Sequence, residues 1–340
     1  MRPWPLLPAI LALSACFEDE PETIRLSGET MGTTYNVIAI GTGLDEDALA
    51  DAVADRLQQV NATMSNWDPD SEVSRFSTTD STAPQNISAE FAEVMQVAGE
   101  VHEKSGGAFD VTLGPLIELW GFGPREPGDP VPSDAEIAAA LAEVGQARLI
   151  ELDAQGGTLT KSEPGVGINL SAIAKGYGID AVAGILRDAG VEDYMVEIGG
   201  DLVTLGENDK GDPWQIGIEV PEPGARAIQM IIPVSGKGMA TSGDYRNFFE
   251  RDGVRYSHIL NPVTGRPVTH RTTSVTVLAE SAMLADAWAT ALLALGAEAG
   301  LDVAERHDIA AYFISRDVTG DENSYITRQS GAFDAALAQD

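Results

Sequence analysis

Cysteine is almost missing from this chain: there is one, Cys16, in 340 residues. That excludes an internal disulfide, a thiolate zinc site and a cysteine nucleophile in the body of the protein. Positive charge is also scarce. Against 53 acidic residues stand 21 Lys and Arg, a formal net charge of −32 and a pI near 4.2. Such a surface repels nucleic acid and anionic headgroups. It repels a free dinucleotide at long range too, so a phosphate ligand needs local cationic help. The plainest reading of the charge itself is solubility. No G-x-x-x-x-G-K-[ST] is present, and no G-x-G-x-x-G opens a helix after a strand, so the P-loop and Rossmann routes to a nucleotide are closed. Past the N-terminus, no uninterrupted apolar run reaches the ~18 residues of a membrane span.

What is present begins with the N-terminus. Residues 1–15, MRPWPLLPAILALSA, have a basic start, an apolar run and small residues at the end, the pattern of an export signal. Leu13-Ser14-Ala15-Cys16 resembles a bacterial lipobox, which makes Cys16 a lipidation site; the alternative is a plain secretion signal with an incidental Cys. Residues 16–27 then form the lipidated Cys and an acidic tether. Acyl chains would anchor the chain to a membrane without spanning it. Residues 28–340 read as the functional domain.

Along that domain the periodicities predict a strand pair from Ile24 turning near Gly32, and an amphipathic helix over Leu44–Met64. A turn-rich loop over 66–76 follows, then a helix over Ala89–Lys104 closed by Gly106-Gly107. A short strand is expected after Ala108, an exposed loop over 124–133, and a helix from Asp134 to Val144. Ser133 and Glu136 stand at capping-box spacing there. A strand pair turns at Gly156-Gly157, a helix runs from about Ser171 to Ala189, and the later part is strand-rich. A helix over Ser281–Leu295 and a strand over Ala310–Ser315 close the fold. The pattern is α+β with a largely antiparallel sheet.

Several residues carry chemistry. Asp286 and Thr290 lie four apart on one face of an apolar helix. Their oxygens suit Mg²⁺, which keeps further positions for water and phosphate. The other reading is a buried Asp with a Thr bonded back to the helix carbonyl. Asn169 to Gly176 enters a helix whose N-terminus offers N–H groups to an anion, with Lys175 beside it, or is an ordinary capped helix. The paired glycines of Glu197-Ile-Gly-Gly-Asp201 mark either a close approach or a β-bulge. His258 is a candidate general base, with Ser242, Asp244, Arg246 and Asn261 nearby in sequence; as a lone strand histidine it would be structural. Met31, Trp67 and Phe109 read as core by default.

These segments also occur together in order: MGTTY (31–35), MSNWDPDSEVSRF (64–76), GGAFDVTLGPLIELWGFG (106–123), NLSAIAKGYGID (169–180), VEIGGD (196–201), ATSGDYRNFFE (240–250), YSHILNPVTGRP (256–267) and ADAWATAL (285–292). The series closely resembles the ApbE family of flavin transferases, bacterial extracytoplasmic lipoproteins. The resemblance implies a two-lobed, T-fold-related α+β domain with FAD in the cleft between lobes. It implies Mg²⁺-dependent transfer of FMN from FAD to a Thr or Ser hydroxyl, with release of AMP. The implied targets are subunits of membrane redox complexes of the sodium-pumping NADH:quinone reductase (Nqr) and Rnf types. The implied setting is the periplasmic side of the membrane, the inner membrane ahead of the outer.

Residue by residue, the resemblance makes Asp286, Thr290 and a backbone oxygen near Ala172 the metal ligands. It makes Met31, Trp67, Ala108, Phe109, Asp110, Asn169, Lys175 and Leu260 the FAD contacts. His258 is the base that assists the attacking hydroxyl, with Asp244 as second choice. Asn169 and Asn261 stand where many members have Asp, which implies a weaker or differently tuned nucleotide contact. Two rivals remain: a Mg²⁺-dependent FAD pyrophosphatase yielding FMN and AMP, and a flavin-holding lipoprotein without turnover.

Overall fold

A computed structural model describes residues 21–123, 131–222, 227–245, 247–317, 319 and 324–338. Cys16, the signal segment, residues 16–20 of the expected tether, Arg246 and most of the expected 124–133 loop lie outside the described residues; the rest of that tether is not a tether, because residues 22–27 belong to the first strand.

The chain opens with a hairpin, β1 (Glu22–Thr30) and β2 (Thr33–Gly41). Its turn is Met31-Gly32, both at positive φ (49° and 73°), the backbone twist a two-residue hairpin needs. Helix α1 (Glu46–Met64) starts on an Asp45 cap and buries Leu49, Val53, Leu57, Val60 and Met64, one face at helical spacing. Then come α2 (Glu72–Thr78), β3 (Gln85–Asn86), α3 (Ala89–Lys104), α4 (Gly114–Leu119), α5 (Asp134–Leu141) and α6 (Gln146–Leu149). The capping box of Ser133 and Glu136 forms in both directions.

Four of these differ from expectation. The 66–76 loop contains α2, because Ser71 caps it and Val73 and Phe76 give it a buried face. No strand follows Ala108; α4 stands there, with Pro115 in its first turn, where proline is tolerated. α5 stops at Leu141, three residues before Val144. α6 is too short to carry a periodicity.

β4 (Ile150–Asp153) and β5 (Thr158–Lys161) pair as expected, with β3 on the other edge of β5. Helix α7 (Ala174–Asp188) begins later than Ser171 and has no side-chain cap of its own. β6 (Asp193–Ile198) and β7 (Asp201–Leu205) form a hairpin. Gly199 and Gly200, with φ of 60° and 98°, are its turn, rather than a bulge or a close approach within one strand. β8 (Trp214–Glu219), β9 (Ile228–Val234), β10 (Gly238–Gly243), β11 (Phe248–Arg251), β12 (Val254–Ser257), β13 (Leu260–Asn261), β14 (Arg266–Pro267) and β15 (Thr272–Ala279) follow. His258 therefore sits in the bend between β12 and β13, not in a strand.

Helix α8 (Ala282–Arg306) runs past Leu295, with a break at Gly296, φ 76° and ψ 168°, where the sequence pattern stops. Although no uninterrupted run is long enough, α8 as a whole has the length and mean hydropathy of a span; it is a core helix, mostly buried inside the protein. β16 (Ala310–Arg316), β17 (Tyr325–Gln329) and α9 (Gly331–Leu337) complete the chain, the last two beyond the expected final strand.

Eight strands make one sheet in the order β1-β2-β6-β7-β10-β15-β16-β17, every pair antiparallel. Alternation along the strands splits the core. Val275 and Val277 of β15 and Ala311 and Phe313 of β16 face α8 and α3. Leu278, Tyr312 and Ile314 face the other way, onto the β8–β9 ribbon and α9. A further cluster, Leu116, Trp120, Ile137, Val144 and Leu260, joins α4 and α5 to the β13 turn.

Candidate active site

Helices α7 and α8 cross closely enough that a Cβ on Gly176 would lie 2.3 Å from the Ala282 carbonyl oxygen. At that crossing each helix caps the other. The Asp180 carboxylate of α7 accepts from Ala282 N (2.9 Å) and Met283 N (2.8 Å), the opening N–H groups of α8. The Asp286 carboxylate of α8 accepts from Gly176 N at 3.2 Å, in the first turn of α7.

Asp286, 3 % exposed, also meets the Lys175 ammonium at 3.2 and 3.3 Å. Lys175 pairs as well with buried Asp201, whose second oxygen accepts from Thr241 N at 3.0 Å. Burial pushes the Asp286 carboxyl above its ordinary value; Lys175 opposes that and Asp201 adds to it. Burial would lower the lysine, but the two carboxylates outweigh it and hold the ammonium above its usual range. One turn on from Asp286, the Thr290 hydroxyl hydrogen-bonds Ser242 Oγ at 3.0 Å, which ties α8 to β10.

A pocket of about 260 Å³ opens beside this network, lined by Met31, Asn61, Met64, Asn66, Trp67, Ser171, Ala174 and Lys175 among others. Met31 reaches it from the hairpin turn. Trp67 is 69 % exposed at its rim, so the default core reading fails for it. A bulky planar side chain left in water next to an apolar pocket is one that a flat ligand can cover.

The structure therefore brings together Met31, Trp67, Lys175 and Asp286, with Ala172 in the turn that enters α7 and Thr290 one turn further along α8. Other expected contacts are not among the pocket's lining residues. Phe109 and Leu260 are buried in core clusters. Asp110 is buried and its carboxylate is already engaged, accepting from Thr112 N (2.8 Å), Thr112 Oγ1 and Gln146 N (2.9 Å). Ala108 precedes them on the same run.

Asn169 uses its side-chain oxygen to accept from Ser171 N (3.0 Å) and Ser171 Oγ (2.5 Å), a local turn into α7. Asn261 does the same for Val263 N (2.9 Å) and Thr264 N (3.0 Å). Both turns need an acceptor oxygen and no charge, so Asn and Asp serve them alike.

His258 Nδ1 lies 2.9 Å from the Asn247 carbonyl. A carbonyl only accepts, so Nδ1 carries the proton and Nε2 holds the lone pair whenever the ring is neutral. Burial pushes the imidazole below its ordinary value, with the Asn247 carbonyl and Asp244 opposing, which favours that neutral form. Phe122 stands edge-on to the ring at 6.3 Å. Asp244 is placed differently: its carboxylate forms a two-oxygen pair with Arg316 at 3.1–3.2 Å and is buried. Ser242, expected near His258 from sequence, instead faces Thr290.

Asp201 and Asn66 were missed as side chains. A period-two count across the Gly-Gly turn marks Asp201 only once that turn is recognised. Asn66, which accepts from Leu170 N (2.8 Å) and donates to the Ile168 carbonyl (2.6 Å), carries no sequence signal.

The profile of the ApbE family matches residues 31–313. The chain belongs to the ApbE family. Among ApbE relatives, a protein of Vibrio cholerae named FAD:protein FMN transferase is 45 % identical over 322 residues, 94 % of this chain and 96 % of that one. A protein of Escherichia coli K12 with the same name is 35 % identical over 94 % of this chain and 90 % of its own length. Among solved structures, the Vibrio cholerae flavin transferase ApbE superposes with a TM-score of 0.85 at 42 % identity, covering 93 % of this chain and 99 % of that one. The apo form of the Pseudomonas stutzeri flavinyl transferase ApbE does so with 0.85 at 38 % identity, over 94 % and 98 %.

Proposed function

We propose that this chain is an FAD:protein FMN transferase that moves FMN from FAD to a Thr or Ser hydroxyl of a target protein and releases AMP. The relatives' names support the activity. The observation that carries it to this chain is the pocket rimmed by Met31 and Trp67 that runs onto the start of α7 and Lys175. An ammonium at a helix start, with the N–H groups there that Asp286 and the Leu170 carbonyl do not take, suits a diphosphate. Because Lys175 is already matched by Asp201 and Asp286, the local cationic help that a chain of net charge −32 requires would come from Mg²⁺.

The residues fit Mg²⁺. Asp286 keeps lone pairs beyond those taken by Lys175 and Gly176 N, and Thr290 and the Ala172 carbonyl add neutral oxygens, the hard donor set magnesium selects. Among the described residues no three His, Cys, Asp or Glu side chains gather as ligands, so one carboxylate would leave most positions for water and phosphate. When bound, the ion would offset charge on the diphosphate and the departing AMP.

The chain's own residues do the rest. Met31 and Trp67 hold the isoalloxazine and exclude water. Lys175, at the α7 end of the pocket, orients the diphosphate. His258 Nε2 takes the proton from the target hydroxyl as its oxygen bonds to the flavin-side phosphorus and the bond to the AMP phosphate breaks. Asp244, locked to Arg316, is the weaker candidate.

Cys16 would be acylated after removal of residues 1–15, holding the catalytic domain, which includes β1 from Glu22 on, on the periplasmic side of the inner membrane. Its partners would be subunits of Nqr- or Rnf-type redox complexes. Incubation with FAD, Mg²⁺ and a Thr-bearing acceptor peptide tests the reading. Covalent flavin on the peptide is expected; free FMN with unlabelled peptide means a pyrophosphatase, and intact FAD means a carrier.

A further inference from the structure

We propose that Lys161 is a positioning residue for the flavin pocket, holding its two lips in register through the backbone of α2 and of residues 166–170. The inference rests on the reading of that pocket as the FAD site.

Lys161 ends β5 and is fully buried, on the same strand face as Leu159. Its ammonium donates to three backbone carbonyls: Phe76 at 3.1 Å, Ser77 at 2.9 Å and Val166 at 3.0 Å. It also lies 5.5 Å from the centre of the Phe76 ring. All of its hydrogen-bond partners are neutral. Burying an ammonium without a contacting carboxylate is unfavourable, and an apolar side chain of equal length would fill the space with less desolvation. Packing alone therefore gives no reason for a lysine. Joining three carbonyls from two separate segments does.

Those segments lead to the pocket. Phe76 and Ser77 belong to the last turn of α2, whose carbonyls have no partner within the helix. Ser77 Oγ accepts from Ile168 N at 2.9 Å and donates to the Val73 carbonyl at 2.7 Å. Asn66 clasps the same strip, donating to the Ile168 carbonyl and accepting from Leu170 N. One lip of the pocket, Asn66 and Trp67, leads into α2. The other, Ser171, Ala174 and Lys175, continues from residues 166–170. Lys161 is the buried post to which both are fastened, and it touches neither lip directly.

The test uses the full-length protein and FAD binding by titration calorimetry, with kcat and KM for FAD measured alongside. Lys161→Met keeps the stem and removes the three donors. The expected result is FAD binding weakened at least about tenfold, with kcat at saturating FAD changed far less, as for loss of binding geometry. Lys161→Arg, which restores donors to the carbonyls, should recover part of the affinity. A Lys161→Met protein that is folded and binds FAD like wild type overturns the inference. If Lys161→Met does not fold, Ser77→Ala, which breaks the next link to Ile168, decides: weakened binding supports the inference and unchanged binding overturns it. Wild type failing to bind FAD would instead sink the reading of the pocket.

Discussion

At the scale of single residues, the assignments rest on which polar atoms are free and which are already engaged. His258 has its Nδ1 hydrogen committed to Asn247 and, among the described residues, its Nε2 lone pair without a hydrogen-bond partner. Because burial depresses its pKa, the neutral base persists to lower pH than for an ordinary histidine. The acid limb of the kcat/KM profile for FMN transfer should therefore fall below the usual histidine value of 6.5, and His258→Gln should abolish that limb and lower kcat by about 10²–10⁴-fold. A profile that keeps the limb in the variant would move the base elsewhere. Asp244 gives the contrasting case. Asp244→Asn should keep the limb but move it to lower pH, because the Asp244 charge holds the imidazole up, and should loosen the Arg316 pair. A loss of about 1–3 kcal/mol in denaturant unfolding is expected, the lower part of the range for a pair of which one member is partly exposed. Asp286→Asn should remove Mg²⁺ binding in a calorimetric titration and with it transfer, while circular dichroism stays that of the wild type.

At the scale of elements, the decisive arrangement is the reciprocal capping of α7 and α8, which fixes Lys175 against Asp286. Gly176 permits it, since a Cβ there would meet the backbone of Ala282 and Met283 at 2.3–2.6 Å. Gly176→Ala should cost at least about 2 kcal/mol in chemical denaturation, because the obstacle is backbone and cannot rotate away. Asp180 makes the crossing sensitive to pH. Burial raises its carboxyl to about 6 against the pull of the two backbone donors and Arg187. The folded state thus binds this proton more tightly than the unfolded state. The contribution is full below about pH 4 and is lost as pH rises through about 6. Asp180→Asn should flatten the dependence of Tm on pH in that window. The sequence made much of this architecture readable. α1, α3 and the first part of α8 have a clear apolar face, and the β1–β2 hairpin has its Met-Gly turn. The elements it concealed are those where length or period fails. α6 has four residues, α2 depends on the Ser71 cap within a turn-rich stretch, and the Gly199-Gly200 turn looks the same as a bulge until both strands are seen to pair. The sequence singled out Asp286, Thr290, Lys175, Met31 and Trp67, which the fold brings to one region. Asp201, Asn66 and Lys161 were not, because their roles come from pairings with residues 26, 102 and 85 positions away.

At the scale of the molecule, function depends on a bound cation whose local field would oppose the global one. The whole chain carries −32, and a flavin dinucleotide arrives bearing a charged diphosphate. Beyond a Debye length of about 10 Å at 0.1 M salt the encounter is governed by the summed charge, and within it by the site, where Asp201 and Asp286 match Lys175 and Mg²⁺ would supply the excess positive charge. The two ranges respond to salt in opposite senses. Screening weakens the long-range repulsion that slows approach. It acts less on the Lys175 ammonium, which is largely enclosed between Asp201 and Asp286. The association rate of FAD, followed by stopped-flow quenching of Trp67, should therefore rise several-fold as NaCl is raised from about 10 to 200 mM at fixed Mg²⁺, while the dissociation rate changes little. Most enzymes of anionic substrates show the reverse, because their substrates are drawn in by a basic field. An association rate that falls with salt here would mean that the pocket's own positive potential extends beyond the pocket mouth and dominates capture, and that the acidic surface has no part in it.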